Sequence, residues 1–77
     1  MNPTVAIMEA LRATPAEAAE RLNVPTAMIE DMLAGARQTV PLKLLFGLSA
    51  MGWSRQQISA FCTTYDTWRY DQRQQPA

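Results

Sequence analysis

Few residues in this 77-residue chain carry reactive groups, and their spacing leaves little room for bond-making chemistry. There is no histidine, so imidazole acid–base catalysis and most zinc sites are out. Cys62 is the single cysteine and has no partner base; beside Phe61 on an apolar helical face it reads as a small buried hydrophobe. No glycine-rich loop could cradle a phosphate, and the neighbouring carboxylates Glu30 and Asp31 read as surface charges. No enzyme activity, metal or cofactor is expected. What remains suits binding: hydrogen-bonding and cationic side chains between Thr26 and Lys43, with Arg12 before and Arg55 after that segment.

The elements that must position them are legible in residues 14–37, which read as two short helices joined by a tight turn. Thr14 is a good N-cap, Glu17 three residues on completes a capping box, and Pro15 falls at the first helical position, where its missing N–H is harmless. Ala18, Ala19 and Leu22 share one face of a helix over 15–22. Asn23 can take the left-handed conformation of the turn, and Val24 plugs the gap between the helices. A second helix over 26–34 is anchored by Ile29, Met32 and Leu33, and Gly35 closes it. A helix held this way can be presented to the major groove of DNA.

The rest of the chain reads as three more helices. Asn2 caps a helix over 3–13 with Val5, Met8, Leu11 and Ile7 on its inner face. After a loop over 36–40, Pro41 opens a fourth helix with Thr39 or Val40 at its cap; Leu44, Leu45, Leu48 and Met51 form its core stripe and Gly52 ends it. Ser54 and Gln57 make a second capping box, and Ile58, Phe61, Cys62, Tyr65 and Trp68 extend a fifth helix over 55–70. The β-branched pair Thr63-Thr64 allows a short strand after residue 63 as the competing reading. One all-α domain over 1–71 follows, with a frayed polar tail over 72–77. A single cysteine and the lack of a signal peptide or membrane-length apolar run point to a reduced, cytoplasmic setting and no membrane.

Bulk charge bears on the partner. Seven Arg plus Lys balance seven Asp plus Glu, and the isoelectric point is near 6.1. Nucleic-acid affinity therefore has to come from a clustered patch rather than from net charge.

Five helices in this order, with the turn motif over 15–34, resemble the Cro and phage-repressor type of helix-turn-helix domain (lambda-repressor-like, Xre-like) over roughly residues 7–60. The elements that carry the resemblance are Thr14-Pro-Ala-Glu17, Ala19, Val24, Ile29, the loop Gly35-Ala-Arg37 and the segment Met51-Gly-Trp-Ser54. The chain departs from the pattern at Pro15, where members often carry a phosphate-contacting glutamine, and at Asn23, where they carry glycine. It also departs on the outward face of the third helix, which holds no cation and two acids.

The resemblance implies a transcriptional regulator of a phage, plasmid or bacterial chromosome, acting as a repressor on double-stranded DNA. Thr26, Ala27, Met28 and Glu30 would meet base edges, with Asp31 near the backbone, and Arg37, Lys43 and Thr39 would hold phosphates. Thr26 can hydrogen-bond a base, Ala27 and Met28 can touch a thymine methyl, and Glu30 can accept from a cytosine amino group. Apolar side chains beyond the needs of a five-helix monomer (Leu42, Phe46, Trp53, Phe61, Tyr65, Trp68 and Tyr70) point to a homodimer interface that the fifth helix helps to build. The competing expectation is a repressor-like fold without DNA affinity that binds a protein partner through its acidic third helix or its aromatic surface. Arg69 and Arg73 read as a solvated helix end paired with Asp66 and Asp71.

Overall fold

The computed structural model describes residues 2–74 as five helices, α1 Pro3–Leu11, α2 Pro15–Leu22, α3 Thr26–Ala34, α4 Leu42–Ala50 and α5 Arg55–Gln74, with no strand among the described residues. α3 packs on α1 and α2, α2 on α4, and α5 on α1 and α4. The core between them is Ile7, Ala19, Leu22, Val24, Ile29, Met32, Leu44, Leu48, Phe61 and Tyr65.

One device ends each of the first four helices. The residue after the helix, or in α4 the second residue after it, turns left-handed, and its own N–H and the next one fold back on the last turn, a Schellman arrangement. Arg12, Asn23, Gly35 and Gly52 are the four of the described residues with positive φ. The pairs Arg12→Glu9 and Ala13→Met8, Asn23→Glu20 and Val24→Ala19, Gly35→Met32 and Ala36→Asp31, and Gly52→Ser49 and Trp53→Leu48 all form, N–H to carbonyl, at 2.9–3.2 Å. Two glycines and an asparagine announce this; arginine does not. That is why α1 stops at Leu11 rather than running to residue 13.

The helix starts follow their capping signals. The Glu17 N–H donates to Thr14 Oγ1 (3.2 Å) and the Thr14 N–H to Glu17 Oε1 (3.0 Å); Ser54 and Gln57 repeat the exchange at 3.1 and 2.8 Å. The backbone bond from Thr14 holds the Glu17 carboxyl below its ordinary pKa. Pro41 sits at the N-cap in extended backbone rather than as the first helical residue, so α4 begins one residue later than expected.

α5 overrides its β-branched pair. Phe61, Tyr65 and Trp68 fall on one face and pack inward, and the Thr64 hydroxyl donates to the Ala60 carbonyl one turn back (2.8 Å). The helix runs on through Gln74, so Gln72 and Arg73 are helical rather than frayed; residues 75–77 of the expected tail lie outside the described residues. Met51 is not a core residue: it follows the end of α4 and is 38% exposed.

Two contacts fix how the helices meet. The α2–α4 crossing is built on Gly47, where a Cβ would overlap the Leu22 carbonyl oxygen and lie 3.1 Å from its carbon. The buried Asn2 joins α1 to α3. Its Oδ1 accepts the Thr4 N–H (2.9 Å) while its Nδ2 donates to the Met32 and Leu33 carbonyls (3.0 Å each).

Candidate nucleic-acid interface

α3 presents one dry face and one wet face. Ile29 and Met32 are buried, with Ala18, Ala19 and Leu22 of α2 and the turn residue Val24 also buried around them. Thr26, Ala27 and Glu30 are exposed. Met28, expected to face outward with them, is half-buried against the core and offers only part of its side chain. The outward face of α3 therefore holds a hydroxyl, a methyl and a carboxylate.

The segment after α3 is clamped by α5, across a gap of about thirty residues in sequence. The Tyr65 hydroxyl donates to the Arg37 carbonyl (2.8 Å) and Arg69 Nε donates to the Gly35 carbonyl (3.0 Å). Burial pushes the Tyr65 phenol above its ordinary pKa, so it stays protonated and able to donate. The Trp68 indole lies over Gly35, where a Cβ would come within 2.8 Å of the ring, and its ring centroid is 5.8 Å from that of Tyr65. Gly35 has φ +71°, so both backbone and space require glycine here. Sequence reading finds neither Tyr65 nor Arg69 in this role, because no local signal marks the partner of a contact 28 or 34 residues away.

Arg37 is held back toward α3. Its Nε lies 3.8 Å from Asp31 Oδ2 and is itself buried, while the side chain as a whole is 40% exposed. Asp31 thus neutralises part of the charge expected to meet phosphate. Thr39 is exposed on the same loop, and Lys43 is exposed in the first turn of α4. Thr39 and Lys43 line different clefts. Thr39 lines a cleft of about 260 Å³ with Gln38, Asp66, Arg69, Tyr70 and Arg73. Lys43 lines another, of about 480 Å³, with Arg21, Asn23 and Phe46 at the α2–α4 crossing. Arg12 occupies the left-handed turn after α1 and Arg55 opens α5, both exposed.

Charge is divided along the chain. Residues 1–34 carry Glu9, Glu17, Glu20, Glu30 and Asp31 against Arg12 and Arg21, a net −3. Residues 35–77 carry Arg37, Lys43, Arg55, Arg69 and Arg73 against Asp66 and Asp71, a net +3. The zero total hides an acidic α1–α3 half and a basic remainder.

The residues expected at a dimer interface separate into two sets. Phe61 and Tyr65 are 5% and 0% exposed, because the inner face of α5 covers the core of its own chain; they are not surface residues. Trp53 and Trp68 are half-buried, Trp53 packing edge-on to Phe61 at 6.2 Å. Phe46 is 64% exposed, as is Leu42 one turn before it. Among the described residues the exposed large apolar side chains are Leu42 and Phe46 on α4, Met51 just after it and Tyr70 on α5.

Cys62 is half-buried rather than sealed, and burial, with Asp66 adding to it, pushes its thiol above the ordinary pKa. That direction disfavours the thiolate a nucleophile needs. Among the described residues no helix is long and apolar enough to cross a membrane. Comparison with family models, curated proteins and solved structures finds no match to the chain.

Proposed function

We propose that the chain is a non-enzymatic transcriptional repressor that binds a palindromic site on double-stranded DNA as a homodimer, with α3 in the major groove. The observation that carries this is the outward face of α3, pre-organised at both ends. The Asn23-Val24-Pro25 turn fixes its start, and Asn2 with the α5 clamp fixes its finish. Little ordering is then required on binding, which favours affinity. Thr26 would hydrogen-bond a base, Ala27 would touch a thymine methyl and Glu30 would accept from a cytosine amino group. Arg37, Thr39 and Lys43 would hold phosphates on either side, and Leu42 with Phe46 on α4 would form the dimer contact.

The test is to incubate the purified chain with a randomised duplex library at low and at physiological salt and to sequence what is retained. An enriched palindrome is the expected result, its half-site spacing giving the dimer geometry. On that site, Arg37→Ala and Lys43→Ala should each weaken binding several-fold whatever the sequence and make the salt dependence shallower by about one unit of log–log slope. Unaltered affinity in both variants would remove the phosphate assignment.

A second reading draws on the lack of any cation on the α3 face, where Glu30 and Asp31 stand. On it, α3 binds a basic surface of another protein. No enrichment at low salt would favour this reading over the first.

A further inference from the structure

We infer that the cleft between the α3–α4 loop and the last turns of α5 is a phosphodiester-binding site, with Arg69 and Arg73 as its cations and Gln38 and Thr39 as neutral hydrogen-bonding groups. It rests on the reading that the chain binds duplex DNA, and it extends the contact surface from α3 onto α5.

Three observations support it. First, α5 continues to Gln74, which keeps Arg73 helical and one turn beyond Arg69, both lining the cleft with Gln38 and Thr39. Second, the bond from Arg69 Nε to the Gly35 carbonyl orients that guanidinium, and its two terminal nitrogens make no hydrogen bond or ion pair among the described residues. A guanidinium has five N–H groups, so four remain for an oxyanion. Third, Arg73 is exposed and makes no ion pair among the described residues, even though Asp66 lines the same cleft and Asp71 is two residues away. The pairing with Asp66 and Asp71 expected from the sequence is not formed. Two guanidiniums face one carboxylate, and the exposed Tyr70 ring sits beside them.

Position completes the argument. The loop that supplies Gln38 and Thr39 starts where the proposed groove-reading helix ends, and the cleft lies in the half of the chain with net +3 charge. A recognition face without a cation gains its phosphate contacts from its flank, and phosphate contacts position a protein on DNA. The shared chemistry is a phosphate oxyanion, from the DNA backbone or from free phosphate.

The experiment measures affinity for the selected duplex over a salt series for the wild type, Arg73→Gln and Arg73→Lys, with Arg37→Ala alongside. Amide NMR shifts of Gln38, Thr39 and Tyr70 are followed with inorganic phosphate in a separate titration. Arg73 is exposed near the end of α5, so its variants should keep the wild-type melting temperature. Expected for Arg73→Gln is binding about three- to tenfold weaker, with a salt slope reduced by about 0.9, and for Arg73→Lys a retained slope. If Arg73→Gln matches the wild type while Arg37→Ala weakens binding, this inference falls and the DNA reading stands. If inorganic phosphate shifts the three amides while Arg73→Gln leaves duplex binding intact, the site takes free phosphate and the phosphodiester assignment is overturned. If the wild type binds no duplex at low salt, the parent reading falls and this inference falls with it.

Discussion

Replacing Gly47 by alanine should destabilise the domain more than any other single-methyl change. In an ordinary helix interior the same substitution is favourable by roughly 1 kcal/mol, because glycine is the worse helix former. Here the added methyl would overlap the backbone carbonyl oxygen of Leu22. A carbonyl at the end of α2 cannot rotate away as a side chain can, so α2 and α4 must separate. Separation loosens Leu22, Leu44 and Leu48, each no more than 1% exposed. Overpacking of this kind costs about 1–3 kcal/mol, and the upper part of that range applies where backbone must move. A domain of this size would then melt roughly 10–20 °C lower. Thermal and urea unfolding followed by circular dichroism decide the matter: a Gly47→Ala protein as stable as the parent would mean that the two helices do not cross this closely.

Asn2 should carry the second largest effect, because one side chain serves two helices. Asn2→Ala removes the cap of α1, a loss of about 1 kcal/mol. It also withdraws both donors from the end of α3. The Met32 carbonyl keeps the Gly35 N–H (3.2 Å), whereas the Leu33 carbonyl loses the Asn2 bond with no such backbone replacement in the turn. An unsatisfied acceptor that is only partly buried adds about 1–2 kcal/mol, the lower part of the usual range, for a total of about 2–3 kcal/mol. Asn2→Asp separates the two roles. The carboxylate can still cap α1, but it has no donor and puts negative charge against two carbonyls at the negative end of α3. Its folded-state pKa must then rise above the unfolded value, so the penalty is full at neutral pH and recedes as pH falls through the carboxylate range. Urea midpoints should order as wild type, Asn2→Ala, Asn2→Asp at pH 7, the last two drawing together near pH 4. An aspartate variant as stable as the wild type at pH 7 would show that the bonds to Met32 and Leu33 carry no weight.

What could be read from the sequence was what is decided locally. The α2–turn–α3 segment announces itself because Thr14 with Glu17, Pro15, Asn23 and Gly35 act on groups within five residues of themselves. The start of α5 follows from Ser54 and Gln57 for the same reason. The end of α1 was illegible, since an arginine in left-handed backbone is sustained by two hydrogen bonds and not by its own preference. Phe61 and Tyr65 show by spacing that they share a face, but spacing does not say whether that face meets the same chain or another one. On the candidate interface, periodicity places Thr26, Ala27 and Glu30 outward. The rigidity of the loop beside them, the second role of Asn2 and the placing of Arg73 beside Thr39 all depend on contacts between distant segments, which no pattern along the chain encodes.

The clamp on the α3–α4 loop gives folding an order in time. α2 and α3 are joined by three residues and can find each other early, since contacts between near neighbours in sequence form fastest. The loop has no such local route: the partners of its Gly35 and Arg37 carbonyls, Arg69 and Tyr65, belong to the last helix. It takes its shape only when α5 arrives, and it loses that shape each time the distal turns of α5 lift away. Amide exchange at Gly35 and Ala36, whose N–H groups donate to the Met32 and Asp31 carbonyls, should therefore keep pace with exchange in the distal part of α5 rather than with the slower α2–α3 pair. Protection of the loop that outlasts α5 would break that coupling. With the coupling intact, the proposed contact surface is the last part of the molecule to take its shape.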